Sequence, residues 1–150
     1  MSTIFAITLG THVILGIVGL IASFATTLNL LVKNGSIKLR VAWAWTACAA
    51  YVLSWLSGGY YYVFYYGSNV KPDIKAGIYD WGHLVFMEFK EHVFLFMPFA
   101  TAALAISVTR VTEEKNPHML NQVKLLSVII TVIAVIITAS GVIITGSASG

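Results

Sequence analysis

Histidines and carboxylates set into an apolar helix are the residue types that hold a metal ion or a haem iron, and this chain concentrates them in one segment. It reads Asp80-Trp81-Gly82-His83-Leu84-Val85-Phe86-Met87-Glu88-Phe89-Lys90-Glu91-His92. An ionisable side chain at the centre of a membrane helix costs about 2.5–3.5 kcal/mol on insertion scales, so such groups face a bundle interior, pair, or serve a site. Glu88 and His92 are four apart and share a helix face, as do Met87 and Glu91. His83 lies on the Met87 side, one turn further out. A second source of imidazole is His12, which has Gly16, Gly19, Ser23 and Thr26 along its own face. A run of small residues lets another helix or a flat ligand approach closely.

His12 lies about eight residues inside its span and His92 about eleven beyond Trp81; at about 1.5 Å per residue these depths differ by a few ångströms. The two are therefore expected to face each other from different helices. Ser54, Ser57, Gly58 and Gly59 reach that level from a second span, and Ser140 and Gly141 from a fourth. The set describes a bis-histidine pocket for haem b between the first and third helices. His12 and His92 would be the axial ligands, His83 the substitute for either, and Gly16, Gly58, Gly59 and Gly141 the walls.

Other readings use the same residues. Asp80, His83, Glu88, Glu91 and His92 could hold a bare metal ion, mononuclear or completed by another subunit. The first, second and fourth spans have no acidic residue, which removes a dinuclear carboxylate site within one chain. Without any cofactor, His12 becomes an interhelical hydrogen-bonding group and the glycines become packing contacts. If the hydrocarbon begins only at Val93, residues 83–92 become a helical extension at headgroup level. Pro98 marks a kink that frees the Phe94 carbonyl. His118, beside Pro117, takes no role.

These residues are positioned by a chain that is 58% hydrophobic and 10% charged over 150 residues. Soluble domains carry about 25% charged residues, and the mean hydropathy is +0.85. A bilayer span needs about 20 mainly apolar residues. The expected fold is all-α, a single integral membrane domain built as an up-and-down four-helix bundle with helices over residues 4–32, 41–66, 81–109 and 123–145. The N-terminal segment lacks a basic region and an obvious cleavage site, so it is expected to be a retained span. Cys48 sits in an apolar stretch and behaves as a small hydrophobe.

Lys33, Lys38, Arg40, Arg110, Lys115 and Lys124 fall in or beside the first and third loops, against Lys71 and Lys75 in the second. The positive-inside rule then places both termini outside. Tyr60, Tyr61, Tyr62, Tyr65, Tyr66, Tyr79 and Trp81 would form an outer aromatic belt, and Trp43 and Trp45 an inner anchor. The net charge of +3, carried in short loops, argues against nucleic acid. No phosphate-binding loop, nucleophile elbow or cysteine pair occurs in the sequence. The inner half of every span lacks charge, which argues against an autonomous channel or transporter.

In layout the chain resembles small four-helix membrane proteins of the b-type cytochrome and haem-copper-oxidase-associated kind. The residues behind this are Thr11-His12, the basic loop 33–40, Glu91-His92 followed by residues 93–105 with Pro98, and residues 138–142. Relatives of that kind often carry a histidine at the start of the second helix, where this chain reads Leu39-Arg40-Val41, which counts against two haems. The resemblance implies a redox-linked subunit in a larger complex of a prokaryotic cytoplasmic membrane, with other membrane subunits as partners and quinone contact compatible. The alternative function is a cofactor-free accessory subunit packed against such a complex.

Overall fold

The computed structural model describes residues 2–72, 88–114 and 117–147, with side chains over 2–72, 92–111 and 117–142. Four helices carry the fold: α1 (Thr3–Leu31), α2 (Ile37–Tyr61), α3 (Glu88–Glu114) and α4 (Pro117–Ser147). A π-helical stretch, Tyr62–Val70, prolongs α2. No strand occurs among the described residues, as the all-α reading expects.

Around the bundle, α1 packs on α2 and α4, and α3 packs on the same two neighbours. Small residues make the close approaches. Ala22, Ala47 and Ala105 are fully buried beside Leu30, Leu104, Val108 and Ile130. Some interior hydroxyls are satisfied within their own helices: Thr26 Oγ1 donates to the Ala22 carbonyl at 2.8 Å and Thr101 Oγ1 to that of Met97 at 2.7 Å. A Ser or Thr bonded one turn back can be buried without an interhelical partner. The outer surface is the more apolar one, with Ile14, Phe24, Leu56, Phe96, Phe99 and Leu125 all exposed.

Three segments are long and apolar enough to cross a membrane: Thr3–Leu31, His92–Val111 and Pro117–Val142. The second helix, expected as an equal span, falls short of the other three. Trp43, Trp45, Thr46, Ser54, Trp55 and Ser57 dilute its apolar character.

Local signals explain the boundaries. Ser36 caps α2 through Leu39 N–H to Ser36 Oγ at 3.5 Å, so α2 begins before the expected Val41. Gly35 is required in the preceding turn, where a Cβ would overlap the Asn29 carbonyl. Pro117, expected to lie in a loop, is instead the first residue of α4. Its missing N–H costs nothing in the first turn of a helix. Pro98 lies buried inside a helix that continues on both sides of it. The tyrosines expected as an outer belt are partly folded onto the bundle. Tyr66 is buried, and Phe5 packs 4.8 Å from the ring centroid of Tyr65.

Candidate functional site

His12 projects from the third turn of α1 toward α2, where Ser54 meets it twice. Its Nδ1 lies 2.9 Å from the Ser54 carbonyl oxygen and 3.0 Å from Ser54 Oγ. Ser54 Oγ donates its one proton to the His12 carbonyl at 2.9 Å. A carbonyl can only accept, so Nδ1 carries the imidazole proton and donates to both Ser54 oxygens. The tautomer follows from the partners, and in the neutral ring it leaves the lone pair on Nε2.

Glycine makes this approach possible. A methyl group at Gly58, one turn beyond Ser54, would lie 2.8 Å from His12 Cε1 and 3.0 Å from Cγ. Gly16 is less constrained, since a Cβ there would meet Ser54 Oγ at an ordinary 3.6 Å. Gly59 faces open space, with nothing within 4 Å of a Cβ. Gly141 is half-buried on α4. Of the four expected wall glycines, Gly58 and Gly16 therefore lie in the His12–Ser54 contact, and Gly59 points away from it.

The third helix reaches this cluster through Phe94. Its ring stands edge-on to His12 at a centroid distance of 5.7 Å and edge-on to Tyr51 at 6.3 Å. His92 is two residues earlier on the same helix, about 200° around the axis, and it is exposed. The two expected axial ligands thus take different directions: His12 toward α2, and His92 toward the outer surface of α3. His83 lies outside the described residues, as do Asp80 and the side chains of Glu88 and Glu91. Among the described residues, no group of three or more His, Cys, Asp or Glu side chains could hold a metal ion.

One turn deeper, the ring of Tyr51 lies across Gly19, where a Cβ would come within 2.9 Å of it. Ser23 is the side chain that the Tyr51 hydroxyl faces. Both hydroxyls are buried, and beyond each other neither has a hydrogen-bond partner. Deeper again, Thr27 Oγ1 bonds the Ser127 carbonyl at 3.1 Å and Thr131 Oγ1 at 2.9 Å, which joins α1 to α4.

Phe94 and Tyr51 are residues that the sequence reading did not assign to the site, and Ser54 was expected only at its level, not as the partner of His12. A usable signal was present: Ser54 and Gly58 are four apart on one face of α2, an acceptor and a gap at the spacing a neighbouring imidazole needs.

No protein-family model, curated protein or solved structure matches this chain.

Proposed function

We propose that the chain is a cofactor-free accessory subunit of a larger membrane assembly, an up-and-down four-helix bundle with both termini outside. The observation that carries this reading is the knot of His12, Ser54, Gly58 and Phe94. His12 is engaged by Ser54 and Gly58 of α2 and by the Phe94 ring of α3, so protein groups surround its imidazole. His12 then acts as a positioning residue that locks α1 to α2.

The arrangement around His12 weighs against haem b clamped between His12 and His92 of one chain. Phe94 occupies the side of α3 that faces His12, and His92 is turned about 200° from it. One observation still favours a redox reading. An Nδ1–H donated to a backbone carbonyl is the arrangement that orients a ligating histidine through Nε2. In that second reading, His12 would hold an iron together with a ligand from another subunit.

Association with other subunits draws on the outer face of α3, where His92, Leu95, Phe96 and Phe99 are all exposed. The test is a photocrosslinking amino acid at Phe96, with one at exposed Ile14 on α1 as the comparison. Protein adducts from position 96 that are missing from position 14 support the accessory subunit. Lipid adducts alone at both positions overturn it.

A further inference from the structure

Contacts gather one end of every helix into a single basic surface. Arg40 Nε donates to the Asn29 carbonyl at 2.9 Å, which joins the start of α2 to the end of α1. Trp45 Nε1 donates to Thr109 Oγ1 at 3.3 Å and brings the end of α3 to the same level. The Thr27 bonds to Ser127 and Thr131 add the start of α4. Lys33, Lys38, Arg110 and Lys124, from four separate segments, therefore crowd one end of the bundle. Lys33, Lys38 and Arg110 are exposed and Lys124 is half-buried. Arg40 differs from these, because its guanidinium caps α1. The acidic residues nearest in sequence are Glu113 and Glu114, whose side chains lie outside the described set.

We propose that this end binds anionic phospholipid headgroups. The cations do not stand on a polar surface. Leu31, Val32, Ile37, Trp45 and Leu125 are exposed among them. Long basic side chains lay their methylene stems on such apolar ground and reach outward with the charge. A free phosphate ion would use only the charges. A phospholipid uses both, with its phosphate on the lysines and its acyl chains along the apolar side chains below. Each cation near an anionic bilayer surface strengthens association by about fivefold. The inference needs the bundle to sit in a bilayer and does not depend on the accessory-subunit reading.

The experiment is native mass spectrometry of the detergent-purified protein titrated with phosphatidylglycerol, phosphatidylcholine or inorganic phosphate. The comparison protein is the triple variant Lys33→Gln/Lys38→Gln/Lys124→Gln, which leaves the Arg40 cap intact. The wild type should retain phosphatidylglycerol at least about 25-fold better than phosphatidylcholine, as two to three cations would give, and the triple variant should lose that preference. Lys71→Gln, beyond the other end of α2, should keep it. Added salt should weaken phosphatidylglycerol retention by the wild type, a readout that does not depend on any variant folding. Equal retention of the two lipids, or an unchanged preference in the triple variant, overturns the proposal. Displacement of phosphatidylglycerol by equimolar inorganic phosphate overturns the assignment to a lipid.

Discussion

The two ends of the α1–α2 pair are built on opposite principles. At the His12 end, the helices interlock: a histidine proton, a serine hydroxyl and two carbonyls satisfy one another, and Gly58 clears room for the ring. At the Arg40 end, the Arg40 side chain ties the two helices, and Lys33 and Lys38 lie exposed. In a membrane protein the apolar surroundings do not drive helices together, so association falls to close packing and hydrogen bonds. The locked end supplies both, which leaves the open end at liberty to bind something outside the bundle.

The sharpest way to break this contrast is to fill the gap beside His12. Gly58→Ala should cost about 3 kcal/mol, since the added methyl must push the imidazole off Ser54. Gly59→Ala, one residue along and facing open space, should instead stabilise by about 0.5–1 kcal/mol through reduced chain entropy. Thermal unfolding in detergent measures both, and similar shifts for the pair would contradict the interlock.

Ser54→Ala comes next. It removes the hydroxyl that serves the His12 carbonyl and one of the two acceptors of Nδ1, while keeping the backbone acceptor. A loss of about 1–1.5 kcal/mol is expected, near the upper part of the range for interhelical hydrogen bonds in bilayers. No change in unfolding temperature would mean that the geometry contributes nothing.

Tyr51→Phe should have a smaller effect. The hydroxyl is buried facing only Ser23, so its deletion removes that weak pairing and its desolvation cost together and should change stability by less than about 1 kcal/mol, while the ring keeps its place over Gly19. A larger loss would show that the hydroxyl is firmly bonded. Trp45→Phe, at the open end, removes an exposed hydrogen bond and should change stability by less than about 0.5 kcal/mol.

How far the sequence carried the reading differs between these regions. The helices were legible because unbroken apolar runs announce themselves, as in Thr3–Leu31. The second helix was harder, since tryptophan, serine and threonine lower its apolar character without breaking the helix. Pro117 does separate two helices, but the start of the fourth was placed late, because a proline that ends one helix and a proline that opens the next look the same in one dimension. The site was legible only in part. His12 was found from its type and depth, but its partner Ser54 lies 42 residues away in the chain, and nothing local joins the two. The depth argument also ignored direction around the helix. His92 can match His12 in level, while the side of α3 turned to His12 belongs to Phe94, two residues later.

The central claim is that the space beside His12 is filled by the protein itself. Its most direct test is the visible absorption spectrum of the detergent-purified protein, produced with ample haem, first oxidised and then reduced with dithionite. A flat visible spectrum is the predicted result. A Soret band with sharp reduced α and β bands, abolished by His12→Ala, would contradict the account and make His12 an iron ligand.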